Sequence, residues 1–370
     1  MDSGLDRFRE RHSYASMKLN PADTIARLTH ALEHDFQLMP LHAPEAPLFL
    51  AIAVPRDEGI TGLKPRLPAG RGLTTQQALL TAGAEALELR ASLAQRHLDG
   101  LATLRRREGL AIAQATDLIS GAPVAVLAQE VFLDCAAVLN EPMQEDANST
   151  GCAVGIDHDS ALATALWECV ERDAVALWWH GLRPAAALPL EVIDAQQPRL
   201  FWWLHQRARR TLLLDLTTDI GLPVVVAVSS DAEGRVVATG TAARPLVADA
   251  ARAAVTEMVQ TEVSMELAIE AGDPEVMAWT RHASTHDQPQ FRASLTARDH
   301  ATPMGTGAVL SRLSELGHRA LGVDLTLPDD PLPSVRVLVP GLCAMRGQIA
   351  TARFARLCPD ATGPALPEPY

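Results

Sequence analysis

The chain has 370 residues, 48% of them apolar and 21% charged, which excludes a disordered protein and allows one large domain or two to three ordinary ones. Its 32 Lys and Arg against 45 Asp and Glu give a formal charge of -13, the wrong sign for binding nucleic acid or an anionic membrane surface. No stretch reaches the ~18 uncharged apolar residues of a membrane span. The start, MDSGLDRFRERH, lacks the apolar core of a signal peptide. The five cysteines contain no C-x-x-C pair, which offers no zinc module and fits a reducing compartment, the cytoplasm.

In chain order, a leading segment of residues 1–45 carries a helix around Asn20 to Asp35, with Asn20 or Asp23 as cap and Ile25, Leu28 and Leu32 as its inner face. A strand follows at Leu48–Val54. A helix is predicted from about Thr75 to Leu98, capped by threonine and stopped at Gly100. Residues 109–140 read as short strands, with a hairpin turning at Ser120-Gly121. The polar loop NEPMQEDANSTG leads into a long helix, DSALATALWECVERDAVALWWH, capped by Asp159 or Ser160. A helix near Phe201–Arg210 precedes the strands TLLLDLT, PVVVAVSS and RVVATGTA, and a third long helix spans about Val247 to Glu270. Residues 272–307 read as a polar loop, before a last helix and the strands ALGVDLT and VRVLVP. Strands and helices mix without strict alternation, which predicts an α+β (mixed α/β) fold, neither Rossmann nor barrel. One main unit over residues 1–350 and a proline-rich tail over 351–370 are expected.

Each long helix carries an acid followed three residues later by an acid or amide: Glu85/Glu88, Glu168/Glu171 and Glu257/Gln260. That spacing puts both side chains on one helix face. From Ala78 to Leu89 the two glutamates are the only charges, and from Ala161 to Val170 Glu168 is the only one. A carboxylate buried among small apolar residues must find a cation. Arg172 and Arg252 are the nearby basic residues; the alternative is a hard divalent ion such as Mg²⁺, which commonly shares carboxylates with nucleotide phosphates. Rim positions paired with distant Lys or Arg are the competing reading. The chain has no Walker loop, G-x-G-x-x-G or G-x-S-x-G, so a nucleotide site here is not of the P-loop type.

The stretch NSTGCAVGIDHDSALATALWECVERDAVALWW resembles the YcaO family, ATP-dependent enzymes that activate backbone amides of ribosomal peptides. GRGLTTQQALLTAGAEALELRAS, GTAARPLVADAARAAVTEMVQTEV and MKLNPADTIARL resemble other family segments, and all occur in family order between about residues 18 and 262. VRVLVPGLCAMRGQIATARF resembles the end of the domain in azoline-forming members. The resemblance implies a fold with three long helices lining a central ATP site. Glu85, Glu88, Glu168, Glu171 and Glu257 would hold Mg²⁺ on the triphosphate, with Glu88, Glu171 and Glu257 as metal ligands. Lys18, Thr24, Ser149, Arg172 and Gln260 would contact the nucleotide. The family commonly has Arg four residues before the third-helix Glu; here that residue is Ala253, with Arg252 one step earlier and turned by about 100°. Pro364, Pro367 and Pro369 before Tyr370 loosely match the proline-rich end of azoline-forming members, whose terminal carboxylate implies a role for Tyr370 near the reaction centre.

By the same resemblance the activity is cyclodehydration of Cys, Ser or Thr in a precursor peptide to thiazoline or oxazoline. The implied partners are the precursor peptide, a separate E1-like or leader-binding protein, a flavin-dependent dehydrogenase and a second copy of the chain. A thioamide- or amidine-forming enzyme, a subunit whose ATP site has decayed, and an unrelated Mg-ATP amide ligase are the competing readings. Outside these motifs, His282 and His286 read as residues of a mobile loop rather than a metal site, and Trp178-Trp179 as core. Cys152 and Cys169 read as inert, and His158 and His180 as surface or capping residues.

Overall fold

The computed structural model describes residues 20–41, 46–64, 66–193, 197–295, 300, 302–343, 349–364, 366 and 367. They form an α+β fold whose chain divides into two compact units: residues 1–42, 49–169 and 313–340 in the first, and 43–48, 170–312 and 341–370 in the second.

In the first unit, helix α1 (Pro21–Leu32) starts as the sequence predicts: Asn20 accepts a hydrogen bond from the Ala22 N–H, and Leu28 and Leu32 are fully buried. An antiparallel sheet of β1 (Phe36–Leu41), β2 (Phe49–Pro55) and β3 (Ala69–Gly72) packs on helix α2 (Thr75–Ser92). Thr74 caps α2 through the Gln77 N–H. The helix ends six residues before the predicted Leu98, because Leu93 turns extended and pairs with Leu133: Leu133 N–H donates to the Ser92 carbonyl and Ala94 N–H to that of Leu133. The second sheet joins β4 (Arg106–Arg107), β5 (Leu110–Asp117), β6 (Pro123–Leu127), β7 (Cys152–Val154), β13 (Leu321–Asp324) and β14 (Ser334–Leu338). The hairpin of β5 and β6 turns at Gly121 with φ of 71°, as predicted. Residues 128–131 and 135–138 are short helices instead of strands.

Helix α3 (His158–Trp179) runs through the boundary between the units. Its cap is Asp157, not Asp159 or Ser160: Asp157 accepts from the Ser160 N–H, and the Ser160 hydroxyl accepts from the Asp157 N–H. The reciprocal pair satisfies two end donors at once.

The second unit is built on a five-stranded mixed sheet in the order β11-β10-β9-β8-β12: β8 (Ala185–Leu188), β9 (Arg210–Asp215), β10 (Val224–Ser230), β11 (Ala238–Ala243) and β12 (Ala293–Leu295). Every residue of β10 is buried, the mark of a strand covered on both faces. Helix α4 (Pro198–Gln206) begins three residues before and ends four before the predicted Phe201–Arg210, because Arg210 already opens β9. Helix α5 (Val247–Glu270) matches its predicted position and packs on β10 and β11. The predicted 272–307 loop contains helix α6 (Pro274–His282), begun by Asp273 accepting from the Glu275 and Val276 N–H groups, as well as β12. His282 therefore ends a helix instead of lying in a loop. Helix α7 (Thr306–Glu315) matches the last predicted helix. Trp178 and Trp179 are core, at 1% and 0% exposure, in an aromatic cluster with Phe291 and Trp279.

The C-terminal segment carries helix α8 (Ala352–Leu357), which the sequence does not announce. Its Phe354 and Leu357 pack with Cys343 and Cys358 against Ala176 and Leu177 of α3. No helix among the described residues is long and apolar enough to cross a membrane.

Candidate functional site

In the first unit the acids of α2 and α3 each meet a sheet edge. Glu85 Oε2 accepts from the N–H of Ala69, which opens the edge strand β3, at 3.2 Å. The contact depends on Gly70: a Cβ there would run into the backbone of Ala78 and Ala82 on α2. Glu168 Oε2 accepts from the N–H of Gly151, just before the edge strand β7, at 3.1 Å. Gly151 has φ of 79° and lies against the Val337 carbonyl, so only glycine fits.

Glu88 lies within electrostatic reach of both these acids. Burial raises its pKa well above the ordinary value; the negative charges of Glu168 and Glu85 raise it further, and Arg336 opposes them. Arg336 on β14 is buried at 3% exposure, donating to the Asn148 carbonyl at 2.8 Å and to Cys152 Sγ at 3.3 Å. Burial pushes the Cys152 thiol up to about 12 and that of Cys169 higher, so both stay protonated and inert, as expected.

This environment makes stability depend on pH. In the metal-free protein the folded state holds a proton on Glu88 above 4.5, where the unfolded chain has released it. Stability then falls as pH rises from that value through the raised folded pKa, by about 1.4 kcal/mol for every tenfold by which folding strengthens proton binding. Glu88→Gln removes the penalty. Urea unfolding without Mg²⁺ should show this variant gaining on the wild type between pH 5 and pH 8; a constant difference would show that Glu88 is ionised throughout.

The second unit repeats the arrangement. Glu257 Oε2 on α5 accepts from the Thr241 N–H at 3.0 Å. Glu171, 7% exposed on α3, accepts from the Thr241 hydroxyl at 2.7 Å and from the Ala243 N–H at 3.1 Å. Thr241 and Ala243 are two apart on β11, again an edge strand, so their N–H groups point the same way. Gly240 permits the approach: a Cβ there would strike the backbone of Ala254 and Met258. The first acid of every pair thus satisfies a sheet edge that would otherwise expose unpaired donors.

Thr24 is buried, its hydroxyl donating to the Asn20 carbonyl at 3.1 Å, and Ser149 is exposed in the loop before Gly151. Arg172 and Gln260 are half-buried. Lys18 and Tyr370 lie outside the described residues. Arg252 does not serve the helix acids; it pairs with Asp249 at 3.1 Å. His158 and His180 are buried at 6% and 9% exposure instead of lying on the surface, and His158 is 3.3 Å from Asp324.

Sequence reasoning missed three features. Arg336 sits in an apolar strand, where a lone arginine is itself a signal. Asp173 and Arg353 form a buried pair whose partners are 180 residues apart. The edge N–H groups depend on pairing that one sequence does not show.

The donor set fits Mg²⁺, a hard ion bound through oxygen. A carboxylate that accepts one N–H keeps lone pairs for a cation, and the half-buried negative charge around Glu88 has Arg336 as an opposing cation. No group of three or more His, Cys, Asp or Glu among the described residues forms a preassembled cage. Mg²⁺ does not need one, since water and phosphate commonly complete its six positions.

Residues 90–343, more than two thirds of the chain, match the family model of the YcaO cyclodehydratase, described as binding ATP and Mg²⁺. The chain belongs to the YcaO family. Its fold is similar to that of a heterocyclase solved with substrate and cofactor (TM-score 0.79, 18% identity), covering 100% of this chain and 59% of the other. The chain therefore spans about three fifths of that heterocyclase's length. It is also similar to YcaO from Methanopyrus kandleri bound with AMPPCP and Mg²⁺ (TM-score 0.65, 23% identity, 88% of this chain and 91% of the other). A third similar structure is the E. coli microcin synthetase McbBCD complex with pro-MccB17 bound (TM-score 0.60, 13% identity, 83% and 87%). No curated protein matches.

Proposed function

We propose that this chain catalyses ATP-dependent cyclodehydration of Cys, Ser or Thr in a ribosomally made precursor peptide, giving thiazoline or oxazoline. The observation that carries the reading is the set of paired acid and acid-or-amide positions on three helices, with Glu88 half-buried near two like charges. Family membership supports it, as does the fold shared with the heterocyclase and the AMPPCP-bound protein.

Glu88, Glu171 and Glu257 would hold Mg²⁺, and Glu85, Glu168 and Gln260 would complete the acid and amide faces. Thr24, Ser149 and Arg172, with Lys18, would contact the nucleotide. Bound Mg-ATP supplies the phosphoryl group that turns the peptide carbonyl oxygen into a leaving group. Phosphoryl transfer asks the protein for alignment and charge neutralisation. Thr241 and Ala243 fix Glu171 on both oxygens, and Gly240 sets the spacing of β11 from α5. No enzyme nucleophile is required, in keeping with protonated Cys152 and Cys169. A separate leader-binding protein would present the peptide, a flavin-dependent dehydrogenase would act on the azoline, and Tyr370 would act at the reaction centre of a dimeric enzyme.

Incubation with Mg-ATP and Cys-, Ser- or Thr-containing peptides, with and without a leader-binding protein, tests the reading by mass spectrometry. Loss of one water per ADP released is expected. Products carrying sulfur in place of the amide oxygen, or no peptide-dependent ADP release, would contradict it.

A further inference from the structure

The second unit holds a His–Asp pair that the proposed mechanism leaves unused. Asp215, at the end of β9, has a fully buried carboxylate that accepts from the Thr217 N–H at 2.8 Å and from His300 Nε2 at 2.9 Å. With a carboxylate oxygen as its partner, Nε2 is assigned the hydrogen, which leaves the Nδ1 lone pair free to accept a proton. Among the described residues Nδ1 has no hydrogen-bond partner.

Register places this pair relative to Glu171. Asp215 pairs with Val225 on β10, and Val225 pairs with Ala242 on β11. Two strand spacings, about 10 Å, therefore separate the backbones of Asp215 and Ala242, and side chains in register share a face. Asp215 lies on the face of Gly240, which α5 with its Glu257 covers, opposite the Thr241 hydroxyl that holds Glu171. The segment after His300 returns to the same end of the sheet, where Met304 N–H donates to the Pro245 carbonyl just beyond β11.

We infer that His300, oriented by Asp215, is the proton acceptor for the substrate nucleophile; the inference rests on the cyclodehydratase reading. The Cys sulfur or the Ser/Thr oxygen bonds to the preceding carbonyl carbon, the carbonyl π pair moves to oxygen, and the nucleophile's proton passes to Nδ1. The oxyanion takes the γ-phosphoryl group of ATP, releasing ADP. The C–O bond then breaks as the nitrogen lone pair forms C=N. The departing phosphate takes the proton back from His300, and the amide proton goes to solvent.

Two arms test it. Diethylpyrocarbonate modifies accessible imidazoles and needs no peptide: mapped by mass spectrometry, labelling of His300 should fall severalfold under saturating Mg-ATP. With synthetic peptides carrying one Gly-Cys-Gly or Gly-Ser-Gly site, His300→Ala should lower kcat by about 100-fold or more, general-base contributions being roughly 10²–10⁴, and free imidazole should restore part of it. His300→Gln should show the same loss. Unshielded His300 in protein that binds Mg-ATP by calorimetry, wild-type turnover by His300→Ala, or a loss that imidazole leaves untouched would overturn the inference. A wild-type protein without Mg-ATP affinity would instead remove the reading on which it rests.

Discussion

Arg353→Met is expected to lower the unfolding free energy by about 3–5 kcal/mol, the cost of stranding a buried charge. Arg353 and Asp173 have side-chain exposures of 1% and 0%. The guanidinium Nε lies 2.9 and 3.0 Å from the two Asp173 oxygens, and Nη2 lies 2.6 Å from Asp219. Asp173 also accepts from the Cys343 N–H at 3.0 Å, so the C-terminal segment is tied to α3 twice through one carboxylate. Without Arg353, that carboxylate keeps the Cys343 N–H but loses its cation. The double variant Asp173→Asn/Arg353→Met carries no stranded charge and should regain part of the loss. Urea unfolding decides it: an Arg353→Met loss under about 1 kcal/mol, or a double variant worse than the sum of the singles, would show that the pair is not what holds the segment.

Gly240→Ala is the second large effect, expected at about 3 kcal/mol or more. Overpacking commonly costs about 1–3 kcal/mol when side chains can move aside, but the obstacles here are backbone atoms of α5, which cannot. The methyl group must separate β11 from α5, drawing the Thr241 N–H away from Glu257, so Mg-ATP affinity should fall together with stability. Gly307→Ala is the control: it lies in α7 with nothing near its absent Cβ and should stabilise by up to ~1 kcal/mol. Equal unfolding midpoints for the two variants would contradict the close-packed strand.

Where local physics decided the structure, the sequence was readable. α5 runs from Val247 to Glu270 as read, because its apolar periodicity and the strand before it leave no other solution. A threonine cap before α2 was legible from residue type, whereas residue type alone left Asn20 and Asp23 both open as the cap of α1. The early end of α2 was not, because it is set by Leu133, forty residues downstream. Helix α8 was hidden by the prolines that follow it; what holds it is Arg353, whose partners Asp173 and Asp219 are distant in sequence. The acid pairs were visible as charges on apolar helices. The sheet edges that orient Glu85, Glu168 and Glu257 were not, since an edge is defined by the strand that fails to pair beyond it.

Binding of nucleotide through Mg²⁺ on these helix carboxylates is the claim on which the rest depends. Calorimetry with ATP, with and without Mg²⁺, on the wild type, Glu88→Gln and Glu171→Gln tests it most directly. Mg-dependent binding by the wild type is expected, with a loss of about tenfold or more in each variant, roughly 1.4 kcal/mol or more of binding free energy. Mg-independent binding, or wild-type affinity retained in both variants, would contradict it.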